Sequence, residues 1–425
     1  MVFLKKRKHI LRLNLEYFIA KRIIDSKSYK SSVSAPIIKI GIAAIAIGIV
    51  VMMIAIATGV GLQQKIRDKV VAFNGQILIS KLSSNNSQET IDPVSTEQAF
   101  YPEFNSVKGI KHIQAVATKF GVIRTETDFE SVIVKGVGKD YDWSYFKDFL
   151  VEGTLPDFSG DRNEDILISE YLQDRLQLKL GDKIQTYFLK EDASQPPSQI
   201  GYRIVGIYNS GFLDFDKTYM LGDIRHIQRL NRWEKDQIGT FEIFLEDYDD
   251  LNEIAPEIYR SKAITPDLNV ETVESKFVSI FEWIKIFDTN IYAIIGIMIL
   301  VGGINMITAL LVLILERTQM IGILKAMGNS NWSIRKIFLY NATYLIVLGL
   351  FWGNLIGLGL LFIQKYFKIF GLNPSVYYVT EAPVYINLGY ILALNVGTFL
   401  FCMLMLLVPS YLISKIAPVK AIRFE

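Results

Sequence analysis

Four long apolar runs constrain this 425-residue chain more than any other feature. They cover roughly residues 38–62, 291–315, 337–363 and 386–413, and apart from Lys39 at the start of the first, none contains Asp, Glu, Lys, Arg or His. Each run reaches the about 20 residues that a helix rising about 1.5 Å per residue needs to cross a bilayer. A soluble protein could bury one such helix in its core, but four of them predict an α-helical membrane protein.

The long segment between the first two runs has a different composition. The chain is 51% hydrophobic and 21% charged, so its charged residues must be concentrated outside the runs. Strands are predicted at 76–80, 112–123, 130–137, 166–168, 183–189, 201–208, 241–245 and 268–273, with apolar alternation at 112–123 and 130–137. Helices are predicted at 96–107, at a short stretch ending at Gly181, and at 251–259. The segment is therefore predicted to be a large mixed α/β domain, and because Cys402 is the sole cysteine, this domain holds no disulfide.

Basic residues set the expected orientation, because those next to a membrane span stay cytoplasmic. Those before the first span are Lys5, Lys6, Arg7, Lys8, Arg12, Lys21, Arg22, Lys27 and Lys30, and those between spans two and three are Arg317, Lys325, Arg335 and Lys336. The connection between spans three and four holds only Lys365 and Lys368. The chain is thus expected to lie in the inner membrane of the cell, with both termini in the cytoplasm and the large domain outside it.

The expected organisation has nine parts. They are a cytoplasmic N-terminal helix lying in the membrane interface at 1–36, with Leu11, Leu15, Phe18 and Ile19 on its apolar face; span one at 37–63; the extracytoplasmic domain at 64–288, in which a β-rich insertion at about 140–238 interrupts a membrane-proximal α/β unit; span two at 289–315; a cytoplasmic coupling elbow at 316–336; span three at 337–363; an outer loop at 364–385; span four at 386–413; and a cytoplasmic tail at 414–425.

Signatures of catalysis and energy conversion are missing from the sequence. His9, His112 and His226 are far apart and form no zinc-binding motif, and there is no nucleophile-elbow motif. The spans lack the ionisable residues on which ion-driven transporters depend. The glycines around Gly136–Lys139 lack the spacing of a phosphate-binding loop. We therefore expect no catalytic residues, no metal site and no cofactor in this chain, and active transport would need ATP and magnesium in a partner. A net charge of +2 also gives no reason to expect a nucleic-acid partner.

The connection between spans two and three is predicted to be a helical elbow. Glu316–Met327 continues span two as a helix on which Gly322 and Ala326, four residues apart, permit another surface to approach closely. Gly328 suits a left-handed helix end, and Ser330 can cap the next helix. A plain connector between spans is the alternative interpretation.

Small and polar residues within the spans indicate packing between helices. Gly349, Gly353 and Gly357 form a stripe on span three that lets another helix backbone come close, most simply within the same subunit. Asn305, Asn341, Asn354 and Asn395 are expected to form hydrogen bonds between helices.

The segment ERTQMIGILKAMGNSNWSIRKIF at 316–338 resembles the junction of the FtsX/MacB-type ABC transporter permeases, in which an E-R-x-x-x-I-G-I-L-x-A-x-G stretch faces the ATPase. The matching residues are Glu316, Arg317, Ile321, Gly322, Ile323, Leu324, Ala326 and Gly328, and Lys325 lies among them. The final ISKIAPVKAIRFE, with Pro418, Ala421 and Arg423, is similar to the family's ending. The loop SVYYVTEAPVYIN at 375–387 resembles the lipoprotein-releasing LolC/LolE branch, although Ala382 stands where that branch has leucine.

The resemblance implies a set of partners and a mechanism. It implies a second permease subunit, a cytoplasmic ABC ATPase dimer that pushes the elbow, and an acylated lipoprotein that enters from membrane lipids between spans one and two. It also implies a periplasmic lipoprotein carrier held by a hairpin loop. By position that loop is 190–200, with Lys190, Pro196 and Pro197.

Two other functions stay open on the sequence. One is the export of another amphipathic substrate, such as a peptide, drug or lipid. The other is an FtsX-like regulator in which ATP hydrolysis moves the outer domain to activate a cell-wall hydrolase without transport.

Overall fold

The computed structural model describes residues 15–25, 35–83, 92–190 and 195–416. The chain divides into two units, the first made of Met1–Gly61, Lys285–Phe370 and Pro383–Glu425, and the second of Leu62–Ile284 and Gly371–Ala382. The C-terminal residues Pro418, Ala421 and Arg423 and the N-terminal Leu11 lie outside the described residues.

Helices and strands alternate through the second unit, whereas the first unit is almost purely helical. In chain order the helices are α1 Leu15–Asp25, α2 Ala35–Asn74, α3 Ser144–Lys147, α4 Glu170–Leu176, α5 Leu213–Thr218, α6 Ile224–Asn231, α7 Leu251–Arg260, α8 Val273–Lys276, α9 Val278–Glu316, α10 Thr318–Ala326, α11 Asn331–Phe367, α12 Pro374–Tyr377, α13 Leu388–Ser410 and α14 Leu412–Lys415. The strands are β1 Ile77–Lys81, β2 Val94–Ser95, β3 Ile110–Arg124, β4 Phe129–Val137, β5 Leu150–Gly153, β6 Asp165–Ser169, β7 Lys183–Phe188, β8 Ser198–Tyr208, β9 Tyr219–Asp223, β10 Gln237–Ile238, β11 Thr240–Leu245 and β12 Leu268–Thr272.

Among the described residues, four helical stretches are long and apolar enough to cross a membrane: Pro36–Asn74, Val278–Glu316, Asn331–Phe367 and Leu388–Lys415. The prediction of four spans is confirmed. The first two stretches have 39 residues each, or about 58 Å of helix, which is well beyond the about 30 Å of a hydrocarbon core. Helix α2 therefore continues past the predicted span to Asn74, and α9 begins ahead of its predicted span, at Val278.

Ten of the described strands form one sheet in the second unit. The order is β12-β1-β11-β3-β4-β9-β6-β8-β5, and β7 pairs with both β3 and β8. Strands β5 to β9 come from the predicted insertion, and they join the flanking strands through the parallel pairing of β4 with β9 and the antiparallel pairing of β3 with β7. The sheet is therefore continuous across the boundary expected near residue 140. The mixed α/β character of this domain is confirmed.

Most predicted strands and helices of the domain are present, with shifted ends. The short helix expected to end at Gly181 ends at Leu176, because Gln177 adopts a left-handed conformation with φ of 53°. Ser169 begins this helix by accepting a hydrogen bond from the backbone N–H of Leu172 at 3.1 Å.

The predicted helix over 96–107 is wrong. This segment forms turns and bends, and its apolar residues Phe100, Phe104 and Val107 still enter the core of the domain. These three residues are spaced by four and three positions, as residues on one face of a helix would be. Pro102 lies in the middle, however, and a proline in a helix interior removes a hydrogen bond and clashes with the preceding turn.

Candidate functional site

The elbow between spans two and three is a helix flanked by two breaks. Helix α9 ends at Glu316, and Arg317 departs from helical geometry with φ of −101° and ψ of 20°. At the other end Gly328 has φ of +86°, which favours glycine because it lacks a Cβ. Ser330 then caps α11 by accepting a hydrogen bond from Ser333 N at 3.2 Å. The two breaks fix α10 as a short helix between α9 and α11.

One face of α10 is exposed and apolar. Ile323 and Met327 have exposed fractions of 47% and 77%, and Ala326 and Gly328 are exposed beside them. We call Ile323, Ala326, Met327 and Gly328 the elbow face. Ala326 and Met327 follow Ile323 by three and four residues, so these three share one side of the elbow, and Gly328 follows directly after them.

Gly322 does not belong to that face. It was expected to stand with Ala326 where another surface approaches, but the structure buries Gly322 and Ile321 within this chain. Leu324 is half-buried and packs with Met320 against the apolar cluster of α1 and α11. Both sides of α10 are apolar in sequence, so the pattern alone could not tell which side this chain covers.

Two cations tie the elbow to the end of span four. The ammonium group of Lys325 donates to the backbone carbonyls of Ile413 and Ile416 at 2.7 Å each, and to that of Ser414 at 3.3 Å. These carbonyls lie at the end of α14, where helix carbonyls run out of partners within the helix; that of Ile413 also accepts a long bond of 3.4 Å from Ile416 N. Arg335, near the start of α11, donates to Ser410 Oγ at 3.0 and 3.1 Å and to the carbonyl of Leu407 at 3.1 Å. Lys325 thus holds α14, the last of the described helices.

The start of the elbow carries a charged pair. Arg317 Nη2 lies 3.8 Å from Glu316 Oε1. The buried Nε and Nη2 atoms of Arg317 have no hydrogen-bond partner among the described residues. A buried donor without a partner is unfavourable, so these two atoms can take up an acceptor that is not among the described residues.

The N-terminal helix covers the back of the elbow. Glu16 accepts a hydrogen bond from Ser333 Oγ at 3.1 Å, and Ala20 and Ile23 pack against Ile337 in α11. Leu15 and Phe18, two residues expected to face lipid, are about half exposed. Helix α1, α10, α11 and the end of span four therefore form one assembly within the first unit.

The glycine stripe of span three lies against span one. A Cβ added at Gly349 would lie 2.8 Å from Ile45 Cβ, and one added at Gly353 would lie 2.8 Å from Ile49 Cβ. One added at Gly357 would lie 3.1 Å from the flexible side chain of Met53. Side chains larger than glycine would separate the two helices, so the stripe sets how closely α11 approaches α2.

The four span asparagines behave differently from one another. Asn354 and Asn395 exchange two hydrogen bonds, of 2.6 and 3.0 Å, between spans three and four. Asn305 donates to the Val301 carbonyl of its own helix at 3.0 Å. Asn341 is fully buried, and neither of its side-chain polar atoms has a partner among the described residues. Asn354 and Asn395 therefore form the expected hydrogen bonds between helices.

The second unit contains a basic cleft of about 720 Å³ beside the β7–β8 hairpin. Its charged lining residues are Lys119, Arg162, Glu164, Lys190, Arg229 and Arg232. Of the predicted carrier loop, Lys190 lines this cleft, Pro196 and Pro197 are exposed just before β8, and 191–194 lie outside the described residues. The sequence did not reveal the cleft, because its cations come from distant strands, loops and helices.

Comparison with known proteins gives consistent matches over both units. Residues 40–260 match the MacB-like periplasmic core domain, and residues 292–418 match the FtsX-like permease C-terminal region.

Two relatives from Haemophilus influenzae illustrate the extent of the likeness. The lipoprotein-releasing system transmembrane protein LolC is 20% identical over 90% of this chain and 92% of the relative. The corresponding LolE is 22% identical over 96% of this chain and 99% of the relative. Among solved structures, the periplasmic region of MacB from Actinobacillus actinomycetemcomitans is similar, with 13% identity, a TM-score of 0.32, and coverage of 49% of this chain and 95% of that one.

Proposed function

This chain belongs to the family of ABC transporter permeases with a MacB-like periplasmic core domain and an FtsX-like C-terminal region, and we propose that it releases acylated lipoproteins from the outer leaflet of the inner membrane. Its relatives named for lipoprotein release align along nearly the whole chain, outer domain included. That full-length likeness is the observation on which the proposal depends.

The proposed motor is a separate ABC ATPase dimer that binds ATP and magnesium and docks on the elbow face. The apolar side chains of Ile323 and Met327 are exposed there, and Ala326 and Gly328 between and beside them leave room for a close contact. Exposed apolar side chains on a short rigid helix are suited to a protein partner. In this arrangement both termini lie in the cytoplasm, in agreement with the basic residues before the first span.

Movement of the elbow would reach the spans through contacts within the first unit. Lys325 and Arg335 bond to the end of span four, so a push on α10 displaces α13 and α14 with it. Gly349 and Gly353 hold span three directly against span one. Since packed helices shift as rigid bodies, these contacts convert one cytoplasmic push into a concerted movement.

The cargo and carrier would act on the outer side. Two permease subunits would face each other, and the lipoprotein would enter from the lipid between spans one and two. The basic cleft beside Lys190, with Arg229 and Arg232 in its wall, suits an acidic surface on a periplasmic lipoprotein carrier. Complementary charge of this kind speeds and orients encounter.

Depletion of the protein tests the proposal. We expect outer-membrane lipoproteins to accumulate in the inner membrane when membranes are separated by density and probed with a lipoprotein antibody. A depletion control complemented with the wild-type chain should restore their distribution. Normal lipoprotein sorting after depletion would refute lipoprotein release, and a simultaneous change in sensitivity to amphipathic drugs would instead indicate export of another substrate.

A further inference from the structure

A buried ion pair lies in the middle of the outer sheet. Lys135 and Glu242 have side chains exposed by only 1% and 4%. The ammonium group of Lys135 lies 2.6 and 2.8 Å from the two carboxylate oxygens of Glu242. Burying two charges is unfavourable unless they are paired and hydrogen-bonded, and this pair meets both conditions.

The pair spans three neighbouring strands. Lys135 lies on β4 and Glu242 on β11, and β3 lies between them. Gln114 on β3 donates from Nε2 to Glu242 Oε2 at 2.8 Å, and its Oε1 accepts from the backbone N–H of Asp142 at 3.0 Å. The three side chains form a cross-strand network with no flexible loop in it.

The network also holds the end of α2. The third bond of Lys135 goes to the carbonyl oxygen of Phe73 at 2.5 Å, next to the last residue of that helix. The final carbonyls of a helix lack intrahelical partners and carry partial negative charge, so an ammonium group is a favourable cap for them. All three donors of the lysine are thereby used.

Aromatic packing surrounds the same helix end. The ring of Phe73 lies 4.9 Å from that of Phe215 and 5.1 Å from that of Phe146, measured between centroids. Phe215 in turn lies 5.6 Å from Phe277, the residue that precedes α9. The end of α2 and the start of α9 therefore meet in one aromatic cluster.

We propose that Lys135 and Glu242 are positioning residues that pass movement of α2 to the outer sheet. This inference rests on the proposed function, in which the spans move when ATP is hydrolysed. A buried ion pair contributes little net stability compared with apolar residues of similar volume, whereas its fixed geometry joins a helix end to the centre of a sheet. Without it, α2 would still continue through Gly75 and Gln76 into β1 and keep its aromatic packing, but the direct bond from its end to β4 and β11 would be lost, and with it part of the displacement that reaches those strands.

The double variant Lys135→Met/Glu242→Gln tests the inference. It removes both charges together, and Gln at 242 still accepts the bond from Gln114. The permease is reconstituted with its ATPase in nanodiscs, and a spin label at the exposed Glu257→Cys position reports the nucleotide-dependent distance change between the two outer domains. The second readout is the amount of a fluorescent triacylated lipoprotein released per ATP hydrolysed.

We expect the double variant to keep ATP hydrolysis and to lose about five-fold or more of the release per ATP, the lower range of typical coupling between sites. The distance change should shrink in parallel. The control is Leu172→Ala, which opens a cavity in the same domain core without touching the network. It should lower the melting temperature yet leave release per ATP within about two-fold of wild type.

A second variant keeps the inference testable if Lys135→Met/Glu242→Gln does not fold. Lys135→Gln/Glu242→Gln leaves no unpaired buried charge and keeps the bond from Gln114, and it should reduce the distance change because two neutral amides hold the end of α2 less firmly than the ion pair does. A distance change equal to that of wild type in either variant would overturn the inference. If wild type itself shows the distance change but releases no lipoprotein, lipoprotein release is refuted, and the distance readout still decides the role of the ion pair.

Discussion

A single methyl group added at Gly353 is predicted to force spans one and three apart. An ideal Cβ there would lie 2.8 Å from Ile49 Cβ and 3.0 Å from the Ala46 carbonyl oxygen. Carbon atoms in contact normally lie about 3.5–4.0 Å apart, so the helices must separate by roughly 1 Å. Both obstacles belong to the backbone or are fixed to it, so a change of rotamer cannot relieve the clash.

The expected cost of Gly353→Ala follows from two opposing effects. Overpacking of this kind costs about 1–3 kcal/mol. Alanine in place of glycine within a helix contributes about 0.5–1 kcal/mol in the other direction. Gly359→Ala isolates the second effect, because a Cβ at Gly359 on the same helix meets nothing within 4 Å. The two variants should therefore differ by about 1–3 kcal/mol in their free energies of unfolding.

Thermal unfolding of the full chain in detergent measures this difference. Gly353→Ala should unfold at a lower temperature than wild type, and Gly359→Ala at the same or a higher temperature. Gly357→Ala should fall between them, because it meets the flexible Met53 side chain at 3.1 Å. Equal unfolding temperatures for Gly353→Ala and Gly359→Ala would refute the close packing of the two spans.

Three further predictions concern charge. Burial raises the pKa of Asp216 to about 6, although hydrogen bonds from Ser210 act against the shift. The folded state then binds the proton more tightly than the unfolded state does. The free energy of unfolding should therefore fall as pH rises from about 4 to about 6, by up to about 3 kcal/mol. Asp216→Asn should lack this component in pH-dependent melting of the full chain, and an unchanged profile would contradict it. Lys325→Met removes three bonds to carbonyls at the end of α14 and should destabilise that end by about 1–3 kcal/mol. The loss should be seen as faster proteolysis of the C-terminal segment. Unaltered cleavage would contradict a stabilising role of these three bonds. Arg229→Glu/Arg232→Glu should weaken carrier binding at low salt and reduce its salt dependence, and binding identical to wild type in a titration would exclude the cleft as the carrier site.

The spans and most strands could be predicted because their signals are local. A run such as 337–363 excludes charge over its whole length, and no soluble alternative explains four such runs. The roles of Gly328 as a left-handed helix end and of Ser330 as a helix cap could also be predicted, since each depends on only a few adjacent residues. The structure shows both in the expected geometry.

Features that depend on distant partners were not predictable. Gly322 was expected at an open surface, but its burial depends on packing with remote parts of the chain. The predicted helix over 96–107 followed the spacing of three apolar residues whose true neighbours lie in other strands. From the sequence, Lys135 would be expected to be a solvent-exposed residue of a strand, because charged side chains are rarely buried. Only the pairing of β11 with β3 and of β3 with β4 brings it near Glu242. The cations of the basic cleft likewise come together only through the fold.

The most direct test of the account is ATP-dependent release of a triacylated lipoprotein from proteoliposomes that contain this chain and its ATPase. Wild type should release the lipoprotein to a soluble carrier when ATP and magnesium are added. Ile323→Asp, which places a charge on the exposed apolar elbow face, should insert into the membrane normally but lose both ATPase binding and release. Release by Ile323→Asp at the wild-type rate would contradict docking at the elbow, and the absence of release by wild type with an active ATPase bound would contradict the proposed function.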